Sequence, residues 1–203
     1  VGKEALEANT TADNNTALGY QALTSNTEGT QNVSVGAVSL YANTSGNRNI
    51  AIGYQTLDAN TTGDDNVAIG KGALTANTTA DDNTAVGNNA LGSNTTGTQN
   101  TALGALALDA NTTSNNSTAI GFNNLSASTG ASNTGTGSYC LSSNTSGTQN
   151  VAAGHAAMQF NTTGSSNTAL GEQALYSNTT ASNNTAVGRR AMLSNTTGTQ
   201  NVA

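Results

Sequence analysis

Bond-making and ion-holding chemistry needs groups that move protons, attack carbonyls or donate oxygens, and this chain has few of them. His155 is its one histidine and Cys140 its one cysteine. A catalytic centre gathers acid, base and nucleophile in one pocket, and neither residue has a matched partner nearby in sequence. No enzymatic role is expected. The acidic pairs Asp64-Asp65 and Asp81-Asp82 are a sharper signal, because their spacing is one that recurs throughout the chain. If that spacing made one turn of a coil, four carboxylates would lie on two adjacent turns, an oxygen-rich cluster of the kind calcium takes. Neighbouring surface charges about 4.8 Å apart repel by only ~1 kcal/mol in water, so a solvated acidic patch needs no metal. Asn-Thr-Thr or Asn-Thr-Ser occurs ten times between Asn9 and Asn195. It is the acceptor pattern for N-glycosylation, and a repeat that needs Asn-Thr at a corner explains it equally well.

The spacing of those Asp pairs is a property of the whole chain. A glycine closes a short apolar run at Gly2, Gly19, Gly36, Gly53 and onward to Gly188, always at the same interval except for one step, Gly121 to Gly137, that is shorter by one. Twelve such units, less the missing residue, account for all 203 residues, so residues 1–203 read as a single repeat array. Four places after the glycine stands Leu or, at Met158 and Met192, Met. Seven places after it stands Asn, except at Ser128, and eight places after it always Thr. Four places before the next glycine Asn recurs, except at Ser117. The place directly after the glycine tolerates Lys3, Tyr20, Ala37, Asn88, Phe122, His155, Glu172 and Arg189 alike. That freedom predicts solvent exposure.

Composition narrows the classes. Aromatic residues make up 3% and charged residues 8%, with no proline or tryptophan, too little for a compact globular core. Strict apolar periodicity argues against disorder, although Asn, Thr, Ser and Gly dominate. The net charge of −6 and five scattered basic residues lack the footprint of a nucleic-acid binder. Apolar runs of a few residues fall short of the roughly 20 that span a bilayer, so no membrane insertion by this segment is expected, and no targeting segment is read at its start. One cysteine allows no internal disulfide; Cys140 fills a place normally held by Ala, which points to a small buried side chain.

The elements that position all of this are short. In the unit Asn66 to Asp82, the stretch Asn66-Val67-Ala68-Ile69 with Gly70 reads as a strand, and Ala73-Leu74-Thr75 as a second. Glycine falls too often for a helix. A single unit has too few apolar groups to order itself, so units must stack as rungs, each strand pairing above and below and each apolar position forming a column. Twelve rungs would be roughly 57 Å long. Stacked Asn amides, as at Asn66 and Asn77, would hydrogen-bond up the column, and Asn and Gly suit left-handed corners; Thr78 would follow at the turn. Adjacent strand residues face opposite ways, yet Ala68 and Ile69 are both apolar. One face is then covered by the coil's own interior, with Leu74, and the other by a second chain. The chain opens and closes mid-unit, which reads as a cut-out of something longer or as a stack that joins end to end.

The Asn-x-Ala-Ile/Leu/Val-Gly core, seen as NVAIG at 66–70, NIAIG at 49–53 and NTALG at 15–19, resembles the head repeat of trimeric autotransporter adhesins. The longer pattern is similar to repeats in phage fibres and bacterial surface proteins that end in a self-cleaving tail-spike chaperone domain. The resemblance implies a parallel β-roll, three chains around one axis, and a passive role as adhesive head or shaft. The unit here is longer than the adhesin's, and no coiled-coil stalk or anchor lies in this piece.

These readings converge on an all-β parallel solenoid of about twelve rungs, homo-oligomeric as a trimer or higher, forming a structural fibre segment at the cell surface or outside the cell. Host surface, glycan or matrix would be bound through Tyr20, Tyr54, Phe122, His155, Arg189 and Arg190, because aromatics and Arg favour contact surfaces. Calcium at Asp64, Asp65, Asp81 and Asp82 is the one ion considered. A phage tail-fibre shaft and an ice-binding or calcium-stabilised secreted solenoid are the alternatives. Ice binding would need a flat Thr array, whereas neighbours such as Thr61 and Thr62 would point opposite ways if extended.

Overall fold

The tripeptide before each glycine has β-branched or large apolar ends and a small centre, a composition that suits a strand with one tightly covered face. A computed structural model describes residues 2–203 and turns each tripeptide into a strand: β1 (Thr16–Leu18), β2 (Val33–Val35), β3 (Ile50–Ile52), β4 (Val67–Ile69), β5 (Thr84–Val86) and β6 (Thr101–Leu103). The series continues with β7 (Thr118–Ile120), β8 (Thr134–Thr136), β9 (Val151–Ala153), β10 (Thr168–Leu170) and β11 (Thr185–Val187). They pair in chain order as one 11-stranded parallel sheet. Ala68 lies between Ala51 and Ala85, one period away on either side. The short unit is absorbed between β7 and β8, where Thr118 pairs with Thr134. A further bridge joins Thr185 to Val202 and carries the pattern into the twelfth unit. The protein is an all-β parallel solenoid, and among the described residues no helix is long and apolar enough to cross a membrane.

The second expected strand does not form. Ala73-Leu74-Thr75 is a turn, because Leu74 and the residue two before it, Gly72, have φ of 50° and 68°. The pattern repeats in every unit: Gln21 and Leu23, Asn89 and Leu91, Gln173 and Leu175 are all left-handed. A left-handed L-residue costs roughly 1–2 kcal/mol. What offsets it is position, for the chain must reverse within a few residues while its amides stay aligned with the stack. Leu74 N donates to Ala90 O at 3.1 Å and Ala76 N to Gly92 O at 3.1 Å, one rung on. The Leu side chain meanwhile enters the interior, where Leu23 through Leu175 and Met158 are fully buried. Gly70 (φ 120°) serves the opposite corner, and a Cβ there would come within 2.7 Å of the Gly87 carbonyl.

The interior is half polar. Beside the Leu column run two Ala columns, through Ala68 and Ala73, and two Asn columns, through Asn66 and Asn77, all buried. In the second Asn column the amides bond each other as expected: Asn77 Nδ2 reaches Asn60 Oδ1 at 2.9 Å. In the first, the side-chain oxygen mainly serves the backbone, with Asn66 N donating to Asn49 Oδ1 at 3.0 Å and Asn83 N to Asn66 Oδ1 at 3.1 Å. Both columns converge on one carbonyl, since Asn66 Nδ2 and Asn77 Nδ2 both donate to Ala80 O, at 2.8 and 3.1 Å. Polar groups that enter an Ala column find a carbonyl: Thr56 Oγ1 donates to Gly70 O at 2.8 Å and Cys140 Sγ to Gly154 O at 3.1 Å, one rung on, whereas Ser39 Oγ donates to Gly36 O at 3.0 Å within its own rung.

Leu74 is buried and Lys71 is exposed. Leu74→Ala is therefore expected to cost about 2–5 kcal/mol through lost burial and a cavity, and Leu74→Asp more. Lys71→Ala is expected to stay within about 0.5 kcal/mol. Thermal unfolding of the variants checks this, and equal effects would contradict the inward placement of the Leu column.

Candidate functional site

Among the described residues the solenoid has no pocket, so whatever it binds is met on its outer faces. Three of these carry the residues singled out above. The first is the corner with the acidic pairs. Asp64 and Asp81 spend their carboxylates on the stack: Asp64 Oδ1 accepts from Asn47 N at 2.6 Å, and Asp81 Oδ1 from Asp64 N at 2.8 Å. Asp65 is paired with Arg48, whose Nε lies 2.6 Å from Oδ1 and whose second nitrogen lies 2.8 Å from Oδ2. The bonded guanidinium holds the Asp65 carboxyl below the usual carboxylate range, and Arg48 also reaches Asp64 at 3.4 Å. Asp82 is exposed. The four carboxylates are thus strung along the stack, and among the described residues no three His, Cys, Asp or Glu side chains gather as they would to hold an ion. Sequence reasoning missed Arg48, which stands one period before Asp65.

The second face is the column after the glycine. Tyr20, Tyr54 and Phe122 are exposed large apolar side chains, and His155, Arg189 and Arg190 are exposed as well. The structure does not bring these six together. It builds instead an aromatic row: Phe122 and Tyr139 meet edge to face at 5.5 Å between ring centres, and Tyr139 and His155 at 6.1 Å. Tyr139, absent from the sequence reading, stands two places after its glycine, where its N donates to Phe122 O at 3.0 Å and holds the two rings side by side. Phe160 and Tyr176, a second edge-to-face pair at 4.9 Å, were missed too, although their separation is within one residue of the period. Arg189 is paired with Glu172 at 3.1 Å and Arg190 bonds Gln173 at 3.0 Å. Tyr20 and Tyr54 lie two rungs apart.

The third face is the outer side of the sheet. While Ala68 and its equivalents point inward, the flanking strand residues point out and form two columns of Thr, Val, Ile and Leu. Leu18 is 51%, Leu103 45% and Leu170 38% exposed. The face is one strand wide and runs about 50 Å at the ordinary strand spacing. The column at the strand ends is aliphatic except at Thr136 and Ala153, in β8 and β9, whereas the column at the strand starts is Thr at seven of the eleven strands.

Two expected features take a different form. The Asn of the Asn-Thr-Thr motif is an interior residue: Asn43, Asn60, Asn77 and Asn94 are fully buried. The Thr pairs sit at a corner that is bent, not extended. Thr61 is half-buried and Thr62 exposed, and Thr61 Oγ1 donates to Thr78 O at 3.0 Å. That column of hydroxyls is used along the stack, as at Thr78 Oγ1 to Thr95 O.

Compared with protein-family models, curated proteins and solved structures, the chain matches none.

Cys140 is buried, and desolvation pushes its thiol up to about 11. The thiolate is the reactive form, so alkylation of the folded chain at neutral pH is expected to be negligible and to become complete on unfolding. Because the folded thiol keeps its proton to higher pH than the unfolded one, stability should fall as pH rises from the ordinary thiol value of 9.0 towards about 11. Cys140→Ala should remove that component. Full labelling without denaturant would contradict the burial.

Proposed function

We propose that the chain is a structural segment of a homo-oligomeric fibre, displayed at a cell surface or outside the cell, and that it assembles through the outer face of its sheet. The observation that carries this reading is the apolar face itself. Monomeric proteins rarely expose contiguous apolar patches beyond a few hundred Å². A column of aliphatic side chains running from Leu18 to Val187, beside a column that is Thr at seven of eleven strands, offers an area on the order of the roughly 800 Å² per partner that a stable protein interface uses. A second copy is the occupant that matches such a face best, because the spacing of its rungs is identical along the whole length. The Asn-x-Ala-Ile-Gly core favours three chains around one axis, as in the adhesin heads it resembles. A closed ring of three would cover every such face, whereas an open pair of flat sheets would leave edges.

Stiffness supports the shaft role. Each rung is tied to its neighbours by backbone bonds and two amide columns, so bending requires breaking bonds rather than rotating about a linker. Adhesion to a host surface, glycan or matrix would fall to the Phe122–Tyr139–His155 row, where rings stand exposed side by side. Nothing in this reading needs a cofactor, a metal or a chemical step.

Light scattering after size exclusion tests it directly. The full chain is expected to run as a β-rich trimer or higher closed assembly, and Ile52→Lys with Ile69→Lys is expected to dissociate it without loss of β circular dichroism. A wild-type monomer would remove the inter-chain interface and with it the fibre reading.

A further inference from the structure

Each corner between the two Asn columns is seven residues long, as from Asn94 to Asn100, but the one from Ser128 to Asn133 has six. Thr129 and Gly130 are both kept, so the lost residue is the one between them. At six full-length corners the two amides after the Asn donate to a Thr carbonyl one rung on, as where Thr95 N and Thr96 N reach Thr112 O at 2.8 and 3.2 Å and Thr162 N and Thr163 N reach Thr179 O at 2.8 and 3.1 Å; Thr78 keeps one such bond, and the end corners at Thr10 and Thr179 have none. Among the described residues Thr112 and Thr113 make no such bond. The Thr129 carbonyl they would use accepts from Ser114 Oγ instead.

The interior fails at the same level. Asn94 Nδ2 bonds Asn77 Oδ1 and Asn111 Nδ2 bonds Asn94 Oδ1, at 3.2 and 2.9 Å. Ser128 stands where the next amide belongs. An amide carries donor and acceptor on separate atoms and can serve both neighbours, whereas a hydroxyl has one proton. Ser128 Oγ accepts from Asn144 Nδ2 at 3.1 Å and turns its proton to Gly130 O at 3.3 Å. Asn111 Oδ1 is left buried without a partner. In the other column Ser117 has no amide to send across, so the bond that Asn100 Nδ2 makes to Ser114 O at 2.8 Å has no equivalent one rung on. Asn133 Nδ2 covers Gly130 O from within its own rung, at 3.0 Å. The same rung carries Asn124 in an Ala column. Its Oδ1 is the other buried acceptor without a donor, and it fits only because β8 has Gly135 at its centre, where a Cβ would collide with it.

From these losses at one level we infer that the plane between residues 104–120 and 121–136 is a built-in break point: the stack opens there first, as two cooperative blocks, 2–120 and 121–203. In a linear repeat array, stability is close to a sum of neighbour terms, so the weakest interface decides where the array parts. The inference concerns one chain and does not depend on assembly. In a fibre it gives each subunit a defined place to yield under load.

Residue-resolved hydrogen exchange on the full chain, in mild denaturant and corrected for intrinsic rates, tests it. Leu108 N and Ala110 N cross the plane to Asn124 O and Ser126 O, while Leu91 N and Ser93 N make the same bonds one rung back, to Ala107 O and Asp109 O. Leu108 and Ala110 are expected to exchange about tenfold faster or more, the factor set by one lost buried hydrogen bond. Ser128→Asn supplies the missing donor and should narrow the gap. Asn94→Ser makes the same defect at an intact interface and should speed exchange at Leu74 and Ala76. Equal protection of the two pairs in the unaltered chain overturns the inference, and two variants without effect overturn its assignment to the amide gap.

Discussion

A buried side-chain amide has to find both a donor and an acceptor, and in this coil it finds them in the corner carbonyls and in the amides and backbone of the neighbouring rungs. That constraint governs the rest. Burying Asn without partners would cost several kcal/mol per group, so the two Asn columns are stable only if every rung has the same circumference and presents its amide at the same height. Equal circumference in turn puts each strand amide opposite a carbonyl and each Leu above a Leu. The polar phrase around each corner is therefore as restricted as a hydrophobic core, and it repeats more faithfully than the residues facing solvent.

The same requirement explains the unusual backbone. Each rung must close on itself with an interior only wide enough for one Leu, two Ala and two Asn. Tight reversal is achieved by left-handed residues at the Leu and two places before it, conformations that would be unfavourable in an isolated unit. They persist because the next rung supplies the carbonyl and the interior accepts the side chain. Local strain and long-range stacking are two sides of one arrangement, which is why neither a strand nor a helix describes the Leu segment.

With the interior committed to self-pairing, the outside is where the molecule can differ from place to place. One face carries an aliphatic column over nearly its full length, one carries aromatic rings and ion pairs, and one carries polar corners where Asp64, Asp65 and Asp81 are already bonded. Arg48 shows why these assignments escape a linear reading: it acts on Asp65 only because one period along the chain equals one step up the coil. Tyr139 meets Phe122 because the second place after a glycine bonds back to the first place on the preceding rung. Wrapping the sequence at the repeat length sets such residues on neighbouring rungs, but whether they touch depends on the direction each side chain takes at a left-handed turn.

The sequence by itself determined the period, the parallel stacking of strands, the inward Ala and Leu columns and the burial of Cys140, because each follows from the spacing of small, large and polar residues along one dimension. Only the tertiary structure decided that the Leu segment is a left-handed turn, that two Asn columns share a carbonyl, that the Asp pairs bond backbone and Arg48, and that Asn111 Oδ1 lacks a donor. Those outcomes depend on distances between residues on neighbouring rungs, which are set by how the coil closes. Residue types state what each group needs, and closure of the coil decides which of those needs are met.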